Sequence, residues 1–156
     1  MKPNVGDKAP DFTASVAGQG DDDSHEVTLS ALRGSRVVLV FYPKDQTPGC
    51  TTQACALRDG WQDLPNDVKI FGVSIDDLKS HRRFIDNEKL PYPLIADPAK
   101  AIVESYGVWV EKSMYGKHYM VTERSTIVIG ADVTVECVLE KVAPKKHLEL
   151  LMAALG

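Results

Sequence analysis

Apolar residues recur along the chain in two rhythms. Short, nearly unbroken apolar runs fall at 36–42, 69–75, 94–96 and 125–129. Runs of this length, rich in valine and isoleucine, predict strands buried on both faces. Between them the spacing lengthens to three and four. Ala54, Leu57, Trp61 and Leu64 form one stripe and predict a helix over 51–64. Gly60 weakens that helix by about 1 kcal/mol relative to alanine. Asp76 and Asp77 supply a cap for a second helix that runs to Lys89, with Leu78, Phe84 and Ile85 turned to the core. Asp97-Pro98 opens a third, with a cap and a first-position proline, and Gly107 ends it. Leu148, Leu151, Met152 and Leu155 mark a closing amphipathic helix that starts at Pro144.

The remaining segments are less regular. Residues 1–16 form a lead-in with one short edge strand within 9–14, because Pro10 bars a central one. Residues 18–25 read as a polar, Gly-rich hairpin loop before a partner strand at 26–29. The triplet Asp21-Asp22-Asp23 in it lacks the spacing and the closing glutamate of a calcium loop, and is read as solvated. Residues 30–34 form one helical turn closed by glycine. Residues 108–119 are a loop with strand pieces, and 133–139 pair back on 125–129 as a hairpin. After the N-terminal hairpin the order is β-α-β-α-β-α-β-β-α. Early strands alternate with helices and call for parallel pairing, while the late hairpin is antiparallel. The expected fold is α/β: a thioredoxin-like fold with a mixed central sheet flanked by helices and an N-terminal β-hairpin extension.

Composition narrows the function classes. The chain has 156 residues, 44% apolar and 26% charged, which suits one domain over 1–156 with a full core. A net charge of −4 argues against nucleic-acid binding, which calls for a basic footprint. No stretch is apolar for long enough to span a bilayer, and the N-terminus lacks the apolar core of a secretory signal. Three cysteines are too few and too odd for a disulfide framework, so a reducing, cytoplasmic compartment is expected, with any disulfide transient and catalytic. His25, His81, His118 and His147 show no ligand spacing, and neither a metal site nor a cofactor is expected.

The candidate chemistry sits where the first buried run ends. Val37 to Tyr42 stops at Pro43, a polar turn follows, and Pro48-Gly49 delivers Cys50 to a helix start. Free backbone N–H groups and the positive end of the helix dipole favour a thiolate there, and the thiolate is the nucleophile. Cys55 lies five residues on. Taken alone it fits a small core hydrophobe, although it lies off the centre of the apolar stripe. Thr47 taken alone fits a helix N-cap, Pro43 a strand stop, and Arg124 a surface charge. Cys137 alternates with Val133, Val135 and Leu139 and is read as core. Trp109, Tyr106 and Tyr119 are read as packing residues.

Residues 42–55, with Pro43, Thr47 and Cys50 filling a P-x-x-x-T-x-x-C pattern, closely resemble the active-site stretch of peroxiredoxins, most of all the bacterioferritin-comigratory-protein or peroxiredoxin Q branch. The resemblance extends to residues 6–12, 106–109 and 122–126. It implies a thioredoxin-dependent thiol peroxidase acting on hydrogen peroxide and organic hydroperoxides. Cys50 would attack the peroxide, Cys55 would resolve it, and Pro43, Thr47 and Arg124 would complete the site. The implied reductant is thioredoxin or glutaredoxin, and the implied state a monomer. Thr47, on this reading, accepts from the peroxide and donates to sulfur. Five residues of helix advance about 7.5 Å and turn about 500°, leaving the Cα atoms roughly 8–9 Å apart on different faces. A disulfide needs Cα atoms within about 7 Å. The segment from 50 to about 58 is therefore expected to unwind for resolution, and Gly60 to ease it. Two other readings compete. A thioredoxin-like thiol–disulfide oxidoreductase normally carries C-x-x-C, which is absent, and would leave Thr47 and Arg124 without purpose. A copper-binding or chaperone-like module could use Cys50 and Cys55, but no methionine or histidine lies near them in sequence.

Overall fold

The computed structural model describes residues 2–18 and 25–156; the triplet 21–23 lies outside them. Its strands are β1 (Thr13–Ala17), β2 (His25–Thr28), β3 (Arg36–Phe41), β4 (Val68–Ser74), β5 (Leu94–Ala96), β6 (Trp109–Met114), β7 (Lys117–Thr122), β8 (Ser125–Ile129) and β9 (Val135–Leu139). Its helices are α1 (Pro48–Asp59), α2 (Leu78–Glu88), α3 (Ala101–Ser105) and α4 (His147–Leu155). Seven strands form one sheet in the order β2-β1-β5-β4-β3-β8-β9, while β6 and β7 pair separately. β3, β4 and β5 run parallel, and β1, β8 and β9 join antiparallel. This is the mixed sheet and thioredoxin-like arrangement that the segment order predicts.

The strand at the centre explains why the apolar run at 36–42 does not alternate. Val37, Leu39 and Phe41 enter one core with Tyr106 of the α3 end, Phe71 and Ile127. Val38, Val40 and Tyr42 enter the other with Leu57 of α1, Phe84 of α2 and Leu151 of α4. Both faces are covered, so every position is apolar. The second core carries Cys50 on its rim.

Five expectations change. β1 begins at Thr13, beyond Pro10, and lies between β2 and β5; the sheet's edges are β2 and β9. The helix expected over 51–64 starts at Pro48 and ends at Asp59, and a 3-10 turn follows at Trp61–Asp63. A Cβ at Gly60 would stand 2.5 Å from Leu148 Cδ2, so the glycine lets the end of α1 close on α4. The third helix starts at Ala101, not Asp97. Asp97 still caps it at a distance, accepting from the Ile102 and Val103 N–H groups at 3.0 and 2.9 Å. Cys137 packs half-buried against the second core, as a core reading expects, but on the opposite face from Val135: Val128 pairs with Cys137 and Ile129 with Val135, so the bulge at Glu136 breaks the alternation. The segment 108–119 is more regular than a loop, forming β6 and much of β7 around a Tyr115-Gly116 turn with both φ positive.

Candidate active site

The β3–α1 connection is pinned before it reaches Cys50. Tyr42 Oη donates to Asp45 Oδ1 at 2.6 Å, and the Asp45 N–H donates to Asp76 Oδ2 at 2.9 Å. Ser80 Oγ donates to Asp45 Oδ2 at 2.8 Å, and His81 Nδ1 lies 2.7 Å from the same oxygen. His81 Nε2 faces the Ile95 carbonyl at 2.9 Å. Asp45, Asp76 and His81 thus bring ligand-type atoms within 4.8 Å of one another, a convergence that sequence spacing does not show. Both ring nitrogens of His81 are engaged by oxygen, so the cluster ties the loop to α2 and β5.

The turn then presents Thr47, in extended conformation, as the residue before α1. Pro48 takes the first helical position, where no N–H is needed. The first intrahelical bond runs from the Thr51 N–H to the Thr47 carbonyl at 2.8 Å, so the Gly49 and Cys50 amides precede the ladder. Thr47 makes no side-chain cap; its Oγ1 donates to the Lys44 carbonyl at 2.9 Å. Its proton is thus turned to Lys44 rather than to sulfur, which corrects the donor role expected of it and leaves acceptor lone pairs. Pro43 is half-buried just beyond β3.

Cys50 is 2% exposed. Its sulfur accepts a hydrogen bond from Arg124 Nη2 at 3.4 Å. Arg124 stands between β7 and β8, 74 residues away in sequence, and is brought to α1 because β8 pairs with β3. Its Nη1 donates to Gln53 Oε1 at 2.5 Å, which fixes the plane of the guanidinium. Gln53 is a site residue that the sequence reading missed. Its position three residues after Cys50, on the same helical face, was the available signal. Cys50, Gln53 and Ala54 line a small, mostly apolar cavity with Tyr42, Phe84 and Tyr92. His147 is buried nearby and shares a 2.7 Å hydrogen bond with Thr126. Burial, then the charge of Arg124, hold its imidazole down at about 4.

The second cysteine lies apart from this cluster. The three cysteines are unpaired, with Cys55 half-buried on α1. Its thiol donates to Glu88 Oε2 at 3.2 Å. Burial, then that carboxylate, push the thiol above its ordinary range, with Arg58 pulling the other way. The structure therefore joins Cys50 and Arg124 directly, sets Thr47 at the mouth of the helix, and keeps Cys55 on another face.

A family model for AhpC/TSA matches residues 5–138. The chain belongs to the AhpC/TSA family. Peroxiredoxin Bcp of Escherichia coli K12 is 37% identical over 149 residues, covering 95% of this chain and 92% of the relative. Peroxiredoxin Bcp of Bacillus subtilis is 38% identical over 149 residues, with the same coverage. Among solved structures, the Xanthomonas campestris bacterioferritin comigratory protein matches with a TM-score of 0.84 at 34% identity, over 92% of this chain and 89% of that one. A cysteine-to-serine mutant of Xylella fastidiosa PrxQ matches with a TM-score of 0.85 at 28% identity, over 99% and 96%. The chain is thus a peroxiredoxin of the Bcp/PrxQ branch, a thiol peroxidase with a thioredoxin-like fold. Among the described residues, no helix is long and apolar enough to cross a membrane.

Proposed function

We propose that this peroxiredoxin reduces hydrogen peroxide and organic hydroperoxides at Cys50, is resolved by an intramolecular disulfide to Cys55, and is recycled by a thioredoxin-type dithiol. The observation that carries the reading is the Arg124 guanidinium, 3.4 Å from a buried sulfur at a helix start. A guanidinium keeps its charge, so it favours the thiolate first and the departing oxygen afterwards. The Thr47 oxygen, its proton turned to Lys44, accepts a hydrogen bond from the O–H of an incoming hydroperoxide and holds it in line with sulfur. Pro43, without an N–H, screens the thiolate from water. The amides of Gly49 and Cys50 are donors for the leaving oxygen.

The Cys50 thiolate attacks one oxygen of ROOH. The O–O bond breaks, sulfur is oxidised to a sulfenate, and the other oxygen leaves as an alkoxide that takes up a proton. The Cys55 thiol then attacks the sulfenic sulfur; an S–S bond forms and the hydroxyl leaves as water with the thiol proton. An external dithiol reduces the disulfide by exchange. Three unpaired thiols suit a reducing, cytoplasmic setting, and we read the enzyme as a single-domain monomer.

The test is peroxide turnover with thioredoxin, thioredoxin reductase and NADPH. Cys50→Ser abolishes turnover; Cys55→Ser keeps one turnover and loses recycling. Full activity in Cys50→Ser would overturn the assignment. Normal cycling of Cys55→Ser would replace intramolecular resolution by an external thiol.

A further inference from the structure

The end of α2 grips the half of α1 that resolution has to move. Cys55 Sγ donates to Glu88 Oε2 at 3.2 Å. One turn on, Arg58 Nη1 donates to the Glu88 backbone carbonyl at 2.6 Å and lies 3.8 Å from its carboxylate. Glu88 is a firm partner because it closes α2. Lys89 takes the left-handed conformation with φ 52°, and the Lys89 and Leu90 N–H groups both return to the Ile85 carbonyl. Leu90 behind it is fully buried. Cys55 and Arg58 reach Glu88 only from helical positions, and a Cys50–Cys55 bond cannot form while those positions are kept.

We propose that Glu88 is a positioning residue for resolution: a latch that holds the Cys55 half of α1 in its helix and sets how long the Cys50 sulfenic acid waits. The proposal rests on Cys55 being the resolving thiol. Two steps compete for the sulfenic acid. In one, Cys55–SH displaces the hydroxyl as water and forms the disulfide. In the other, a second hydroperoxide oxidises the sulfenate to the sulfinic acid and leaves as the alcohol. A tighter latch favours the second step at high peroxide.

Glu88→Gln removes the charge and keeps an acceptor; Glu88→Ala removes both. Each is mixed with hydrogen peroxide in a stopped-flow instrument, following Trp61, which stacks on Tyr92 with ring centroids 5.7 Å apart beside the site. Intact mass then counts sulfinic acid against peroxide dose. The first oxidation is expected to stay within twofold of wild type. Disulfide formation is expected to speed up about tenfold in Glu88→Ala and less in Glu88→Gln, from the loss of one charge-assisted bond. The peroxide dose that half-converts Cys50 to sulfinic acid is expected to rise by the same factor, a readout that a packing defect alone would not move in step. Arg58→Met, which frees the Glu88 carbonyl, is expected to act in the same direction and serves if the Glu88 variants fail to fold. Disulfide formation at or below the wild-type rate in folded variants would overturn the latch. Cys55→Ser separates the two readings: if it still cycles normally, the resolving role fails, and the latch with it.

Discussion

Gly49→Ala should slow the reaction with peroxide without weakening the fold. The residue sits at the second position of α1, and a Cβ there would stand 3.2 Å from Arg124 Nη2 and 3.4 Å from Pro144 Cγ. The guanidinium has to yield by a few tenths of an ångström. It cannot simply swing, because Nη1 is held by Gln53 Oε1 at 2.5 Å. The contact at risk is therefore the 3.4 Å bond from Nη2 to Cys50 Sγ. A hydrogen bond to a charged group contributes about 1.5–3 kcal/mol, and about 1.4 kcal/mol is tenfold in rate. Partial displacement takes the lower end, so the second-order rate with hydrogen peroxide should fall about tenfold. Alanine meanwhile favours a helix over glycine by up to about 1 kcal/mol, worth about 2–4 °C in Tm for a chain of this size. The pair of measurements is a stopped-flow oxidation rate and a thermal melt. A rate within twofold of wild type in a folded Gly49→Ala protein would refute the reasoning that Arg124 is placed for Cys50 by this close approach.

Other outcomes follow from the same geometry. Thr47→Val should cost about tenfold or more in the peroxide rate by loss of the oxygen that orients substrate, with a stability loss in urea no larger than the roughly 1 kcal/mol of its bond to the Lys44 carbonyl; a peroxide rate within twofold of wild type would count against the orienting role. His147 is held neutral, down at about 4 against an ordinary 6.5, by burial and then Arg124. Its folded-state value is depressed, so its contribution is complete above pH 6.5 and is lost as the pH falls to about 4, on the order of 3 kcal/mol. His147→Gln should flatten that part of the urea-midpoint profile, and an unchanged slope would count against it. Oxidation to the Cys50–Cys55 disulfide should lower the helical circular dichroism signal, with no such loss in Cys55→Ser; an undisturbed signal in the disulfide form would contradict unwinding.

The large elements were legible because each is buried in a way that its pattern reports. β3 reads as an unbroken apolar run since both faces are covered, and α1 as a stripe since one face is. Their boundaries were less so. Gly60 closes α1, a local stop masked by the apolar stripe that continues through Trp61 and Leu64, and the room that a Cβ would need there is taken by Leu148 on a much later helix. Asp97 looks like an adjacent cap but reaches across five and six residues. Cys137 obeys alternation in sequence, and one bulged residue turns it away from Val135. At the site, Cys50 stands out locally as a cysteine at a helix start, whereas Pro43 and Thr47, read alone, pass for a strand stop and an N-cap. Arg124 became a site residue through the resemblance alone, since only the pairing of β8 with β3 brings it to the thiol. The Asp45–His81 and Cys55–Glu88 contacts span 36 and 33 residues, and no spacing rule reveals them.

Cys50 has to be the sulfur that meets the hydroperoxide first. One equivalent of hydrogen peroxide is added to Cys55→Ser protein in the presence of a sulfenic-acid trap, and the adduct is mapped by peptide mass spectrometry. The expected result is a single trapped adduct at Cys50, formed in one fast phase and absent from Cys50→Ser. An adduct carried chiefly by Cys137, or peroxide consumed at the wild-type rate by Cys50→Ser, would contradict it.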